Sequence, residues 1–98
     1  MAANQNYLGD IMLKVPMVNL GRTGLRASKL GLGTYDLRGF DQILIESYKM
    51  GVNFWDASDD YGSHPHIASA LEHIQRRDVV ISTKTYAKSG EEAKNSLK

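Results

Sequence analysis

Three side chains of complementary chemistry stand where apolar runs of the sequence end. Asp56 follows Val52-Asn53-Phe54-Trp55, Lys84 follows Val79-Val80-Ile81-Ser82-Thr83, and Tyr61 lies five positions after Asp56, just ahead of Gly62. An unpaired carboxylate at the end of an apolar strand is strongly disfavoured, so Asp56 calls for a cation nearby. Lys84 holds the equivalent place one unit later. If the two runs are neighbouring parallel strands, their ends lie ~5 Å apart and the side chains can pair. The intervening loop is long enough to fold Tyr61 back over the strand ends. An ammonium beside a phenol stabilises the phenolate and lowers a pKa that is ordinarily about 10, which turns a phenol into a usable general acid toward a carbonyl oxygen. The competing reading is a structural ion pair with an ordinary amphipathic tyrosine in a loop.

The elements that would hold these groups follow from pattern and punctuation. Residues 1–15 carry no clear period and read as an N-terminal extension. Met17 to Leu20, the turn Gly21-Arg22-Thr23-Gly24, and Leu25 to Leu30 form a hairpin signal. Gly31-Leu32-Gly33-Thr34-Tyr35 reads as a short strand whose glycines admit close approach to the backbone. A helix is expected over 41–50, with Asp41 as N-cap, Gly51 as C-cap and Ile43, Leu44, Ser47, Tyr48 and Met50 at helical spacing. A strand over 52–57 follows, then a second helix over 64–76 with Ser63 as cap, Pro65 in its first turn and the stripe Ile67, Ala70, Leu71, Ile74. Arg76 and Arg77 would sit at its solvated end, favoured by the helix dipole. Val79 to Thr85 reads as a strand whose first half expects burial on both faces, and Ser89 opens a third helix with Glu91 and Glu92 in its first turn. Hairpin, β, α, β, α, β, α is the alternation of an α/β protein with a parallel sheet. In such sheets the chemistry sits at the carboxyl ends of the strands, where Gly33-Thr34-Tyr35, Asp56 and Lys84 all fall.

Composition narrows the function classes. Twelve Lys+Arg against eleven Asp+Glu leave a net charge of +1 over 98 residues, which gives no basic face for nucleic acid. No apolar run approaches the ~20 residues of a membrane span, and neither a basic n-region nor an apolar h-region opens the chain. Zero cysteines exclude disulfides, thiolate catalysis and thiolate metal sites, and a cytoplasmic setting is expected.

Three stretches together carry a family resemblance. Leu20-Gly21-Arg22-Thr23-Gly24-Leu25 with Ser28 to Thr34, then Gly51-Val52-Asn53-Phe54-Trp55-Asp56-Ala57-Ser58-Asp59-Asp60-Tyr61-Gly62, then Val80-Ile81-Ser82-Thr83-Lys84, resemble in unbroken order the N-terminal third of an aldo-keto reductase. The resemblance implies a hairpin followed by about three βα units, residues 16–98, as the N-terminal portion of a (β/α)8 TIM barrel, whose complete form takes roughly 250 residues. It also implies reduction of a small-molecule aldehyde or ketone by NADPH. Asp56, Tyr61 and Lys84 match three members of the family's catalytic tetrad, and Gly33, Thr34 and Asp56 match positions that contact the nicotinamide half of the cofactor. The fourth member is a histidine ending the fourth strand; His64, His66 and His73 all precede Lys84 and do not align with it. After Gly62 the family's Ser-Glu is replaced by Ser63-His64.

On this reading the 98-residue chain is a truncated form without turnover of its own. The alternative is a non-catalytic partial-barrel domain that self-associates through its open sheet edge. A metal module built on His64, His66, Asp59 and Asp60 has suitable ligand types, but alternate residues at a helix start diverge, and no metal is assigned. The glycines at 21 and 24 lack the spacing of a phosphate-binding loop and are explained by a hairpin turn.

Overall fold

The computed structural model describes residues 14–37 and 41–97. Strands β1 (Met17–Asn19) and β2 (Arg26–Ser28) pair antiparallel, with Val18 opposite Ala27. The turn between them is closed by Leu20 N–H donating to Leu25 O at 2.9 Å and by the Thr23 hydroxyl donating to Leu20 O at 2.7 Å. A second sheet holds β3 (Gly31–Gly33), β4 (Phe54–Asp56) and β5 (Val80–Ser82), parallel and in sequence order. Helix α1 (Asp41–Lys49) connects β3 to β4, helix α2 (His64–Ala70) connects β4 to β5, and helix α3 (Gly90–Ser96) follows β5. The expected alternation is therefore present. Residues 1–13 of the predicted extension lie outside the described residues, whereas Val15 donates from its N–H to Met50 O at 3.3 Å.

Register explains how the sheet divides its labour. Leu32, Trp55 and Ile81 stand in one row, and Gly33, Asp56 and Ser82 in the next. Successive side chains of a strand point to opposite faces. The Trp55 row faces the helices: Trp55, Leu44, Ala57, Ile67, Ala70, Ile74 and Val79 form the buried core, with Leu32, Ile45, Tyr48 and Ile81 packed against it. The Asp56 row faces away from the helices, so one pattern of alternation supplies both a core and a chemical face. Helices α1 and α2 lie beside each other. No helix among the described residues is long and apolar enough to cross a membrane.

Several local expectations are corrected. Within α1 the inward stripe is Leu44, Ile45 and Tyr48, while Ile43 is exposed, as is Met50 just past the end of the helix. The residue before Asp41 lies outside the described residues; the Asp41 carboxylate is 2.8 Å from His66 Nδ1 on α2. Helix α2 ends at Ala70 rather than Arg76. Glu72 and His73 N–H groups donate three residues back, which tightens the turn, and Gln75 is extended at φ −66°, ψ 128°. A short 3₁₀ turn, Arg76–Asp78, then delivers the chain to β5, with Arg76 Nη1 donating to Val79 O at 2.7 Å. Ser63 makes no capping bond from its side chain. Only Val79 in the third apolar run is fully buried, because β5 pairs on one side only among the described residues.

The end of α1 does follow its glycine. Val52 N–H donates to Ser47 O and Gly51 N–H to Tyr48 O, both at 2.9 Å, and Gly51 has φ +94°. This paired closure of orphan carbonyls needs a left-handed residue. A Cβ on Gly51 would also meet Val15 N at 3.0 Å. Gly51→Ala is expected to cost about 1–2 kcal/mol, read as a fall in the urea midpoint at unchanged slope.

Candidate active site

Three segments converge at the carboxyl ends of β4 and β5. Asp56 is the last residue of β4 and is paired in register with Ser82, so Lys84 begins two residues beyond that row. Its flexible stem reaches back: Nζ donates to Asp56 Oδ2 and to Ala57 O, each at 3.0 Å. The same ammonium stands 4.7 Å from the ring centroid of Tyr61. The expected pairing is thus made. It is not a buried pair, since the Lys84 and Asp56 side chains are 40% and 50% exposed. The Tyr61 phenol and the Asp56 carboxylate hold the Lys84 ammonium above its ordinary range, so it remains charged throughout the neutral range.

Tyr61 is fixed from several sides. The edge of one ring meets the face of the other between Tyr35 and Tyr61, at 5.2 Å and 81°. Tyr61 N–H donates to Ser58 O at 3.2 Å, which sets the turn that carries the phenol. Tyr86, two residues past Lys84, has its phenol held above its ordinary value first by hydrogen bonding with Tyr61. Tyr35 and Tyr86 are both exposed, so the phenol of Tyr61 belongs to an open aromatic cluster bordered by one ammonium.

Gly33 and Thr34 sit at the end of β3 next to Asp56. A shallow cavity of about 320 Å³ is lined by Gly31, Leu32, Gly33, Phe54, Asp56 and Ser82. A Cβ built on Gly33 would meet nothing within 4 Å, so the backbone there is open to a flat ligand. Thr34 has a different surrounding. Its side chain is fully buried, its hydroxyl donates to Asp56 O at 2.8 Å, and the Ser63 hydroxyl lies 2.7 Å from it. Thr34 and Ser63 therefore lock the end of β3 to the end of β4 and the start of α2.

The loop after Asp56 is organised by residues that spacing alone does not reveal. Ser58 is buried and donates to Asp60 Oδ1 at 2.8 Å, and Asp59 N–H donates to Lys84 O at 3.0 Å. The Asp59 carboxylate accepts from the hydroxyls of Thr85 and Ser96, tying the exit of β5 and helix α3 to this loop. These contacts span 26 and 37 residues, and a lone aspartate in a polar loop carries no local signal of them. His64 and His66 turn to different elements: His64 Nε2 is 3.1 Å from Thr83 Oγ1, and His66 Nδ1 engages Asp41. Among the described residues no three His, Asp or Glu side chains are grouped to hold a metal ion.

Two of these aspartates predict the acid limit of the fold. Asp59 is held below the usual carboxylate range first by Ser96 and then by Thr85, and Asp41 first by Ser69 and then by His66. A carboxylate with a depressed folded-state pKa contributes stability that is present above the unfolded value of 3.8 and lost as pH falls through the folded value. Urea unfolding at pH ~7 and pH ~3 should therefore show a fall in stability that is smaller for Asp59→Asn than for the parent. An equal fall in both would mean that Asp59 carries none of the linkage.

No profile of a known protein family matches the chain. Individual proteins do. The chain is 38% identical over 90 residues to the aldo-keto reductase dtxS3 of Metarhizium robertsii, covering 74% of this chain and 24% of that protein. It is 31% identical over 87 residues to L-galactose dehydrogenase of Arabidopsis thaliana, covering 74% and 27%. It is 31% identical over 84 residues to probable aldo-keto reductase 1 of Glycine max, covering 72% and 24%. The chain thus spans about a quarter of the length of these relatives. A solved structure from Pseudomonas aeruginosa, whose own aldo-keto reductase assignment is provisional, matches with a TM-score of 0.60 at 24% identity, over 87% of this chain and 42% of that one. At that identity the likeness concerns the fold.

Proposed function

The chain is a relative of the aldo-keto reductases, and on that premise we propose that it is the N-terminal portion of a (β/α)8 barrel oxidoreductase that reduces a small aldehyde or ketone to an alcohol with NADPH. One observation carries the reading: Lys84 Nζ lies 3.0 Å from Asp56 Oδ2 and 4.7 Å from the Tyr61 ring, although the three residues come from separate segments. Beside them, the open backbone at Gly33 and the cavity under Asp56 fit the flat ring of a nicotinamide. Gly33 and Asp56 would hold that ring, and Thr34 would keep the two strand ends together. When bound, the reduced nicotinamide supplies a hydride.

The chain's own groups supply the proton. Tyr61 Oη donates to the carbonyl oxygen of the substrate as negative charge develops there, and the alcohol leaves with that proton. The phenolate left behind faces the Lys84 ammonium, which offsets its charge until water returns the proton. Asp56 keeps the ammonium in place by a charge-assisted hydrogen bond. In the family a histidine from the fourth strand completes the set, and the chain spans about a quarter of its relatives. The 98 residues alone should accordingly oxidise no NADPH in the presence of aldehydes, whereas a polypeptide that continues them into a complete barrel should. Turnover by the 98-residue chain would sink the proposal that later strands are required. A complete barrel without aldehyde-dependent NADPH oxidation would sink the assignment itself.

A second reading is favoured by one feature, the unpaired side of β5 among the described residues. Self-association through that edge would make the elution volume of the chain depend on concentration.

A further inference from the structure

Cations gather at the end of the sheet opposite Asp56 and Lys84. An open cavity of about 660 Å³ lies between the hairpin, the end of α1 and the starts of β4 and β5; Lys14, Arg26, Lys49 and Arg77 line it, and Asp78 is the one carboxylate among the described residues that do. Lys49 is paired with Glu46 at 3.4 Å. The side chains of Lys14, Arg26 and Arg77 have no partner among the described residues. Three cations without a partner among the described residues, from three distant segments around one concavity, raise its potential for anions, and nothing in the carbonyl chemistry uses them.

The frame that presents them is rigid. Asn53 is 8% exposed, and its Nδ2 donates to Arg26 O and to Asp78 O, each at 3.0 Å. Its Oδ1 accepts from Ser28 N–H at 2.7 Å. One buried amide thus fastens the hairpin and the 3₁₀ turn, the segments bearing Arg26 and Arg77, to the start of β4. On the other side the bond from Val15 N–H to Met50 O brings Lys14 against the end of α1. Tyr48 Oη donates to Asp78 Oδ2 at 3.2 Å, which engages one oxygen of this carboxylate and leaves its single negative charge against the three cations.

We propose that this cavity binds a multiply charged phosphate anion, with Arg26 and Arg77 as its hydrogen-bonding forks and Lys14 and Lys49 as added point charges. The planar guanidinium matches phosphate oxygens two at a time, and the three cations without a partner outnumber the Asp78 carboxylate, which favours an anion of more than one charge. Met17, Leu25 and Tyr48 also line the cavity and give it apolar surface on which an organic body can lie.

The test is calorimetric titration of the chain with tripolyphosphate and, separately, with a hexose bisphosphate, against potassium chloride at matched ionic strength. Saturable binding is expected for at least one of the phosphates and not for chloride; tighter binding of the bisphosphate would assign the apolar wall to the ligand's organic part. Arg26→Gln and Arg77→Gln should each weaken binding about tenfold, while Lys94→Gln on α3 should leave it unchanged. These side chains lie outside the Asn53 frame, and an unchanged far-ultraviolet circular dichroism spectrum verifies folding; Lys14→Gln serves in place of any variant that fails this check. Absence of saturable binding, or parental affinity in the folded variants, would overturn the site. Neither result depends on carbonyl reduction.

Discussion

Tyr61→Phe is expected to lower kcat for NADPH-dependent aldehyde reduction about a hundred- to ten-thousand-fold in a protein that carries these residues within a complete barrel. The variant removes only a hydroxyl. The ring stays, and with it the edge contact to Tyr35 at 5.2 Å and the ammonium of Lys84 at 4.7 Å. NADPH affinity and thermal stability should therefore change little while kcat falls, a split that separates proton donation from folding and from binding. Lys84→Met should also lower kcat, since it removes the charge that faces the phenolate and leaves Asp56 without its partner at 3.0 Å. Undiminished turnover in Tyr61→Phe would exclude this phenol as the acid, and the convergence of the three groups would then be structural.

Trp55→Ala should cost about 3–5 kcal/mol, a large share of the roughly 5–15 kcal/mol that stabilises a typical domain. Trp55 is fully buried in the middle strand, between Leu32 and Ile81 in register, and its indole N–H donates to Val52 O at 3.2 Å. Truncation would leave a void between the flanking strands and the helices of the core, and would also leave the Val52 carbonyl without that donor. It is the chain's one tryptophan, so unfolding is to be followed by circular dichroism rather than by intrinsic tryptophan fluorescence. A loss below about 1 kcal/mol would mean that the core collapses around the site. Trp55→Phe should recover part of the loss, because it keeps most of the apolar volume.

Much of this architecture is legible along the chain because it rests on short-range physics. The glycines at 21 and 24 mark the hairpin, and Gly51 marks the end of α1 through the left-handed conformation it adopts at φ +94°. Alternation through Phe54-Trp55-Asp56 separates a buried indole from an accessible carboxylate. Where local pattern failed, a distant partner had intervened. The stripe Ile67, Ala70, Leu71, Ile74 suggests a helix running to Arg76, yet the chain must turn back into β5, and Gln75 goes extended to let it do so. Ser63 has the chemistry of a cap, but its hydroxyl lies 2.7 Å from that of Thr34 across the sheet. The third apolar run is less buried than its composition suggests, because β5 pairs on one side only among the described residues.

The residue types and order of Asp56, Tyr61 and Lys84, and the βα alternation that carries them, were thus readable from one dimension, since composition and periodicity record what each segment buries and what it exposes. Their meeting depended on three dimensions. Parallel register sets Asp56 opposite Ser82, so only the reach of a lysine side chain joins Lys84 to it. The carboxylate of Asp59, through Thr85 and Ser96, ties the exit of β5 to the loop that bears Tyr61. Asn53 likewise brings the backbones of Arg26 and Asp78 to one edge of a cavity. Such hydrogen bonds form between groups more than twenty residues apart, and their geometry exists only once the sheet has closed the intervening loops.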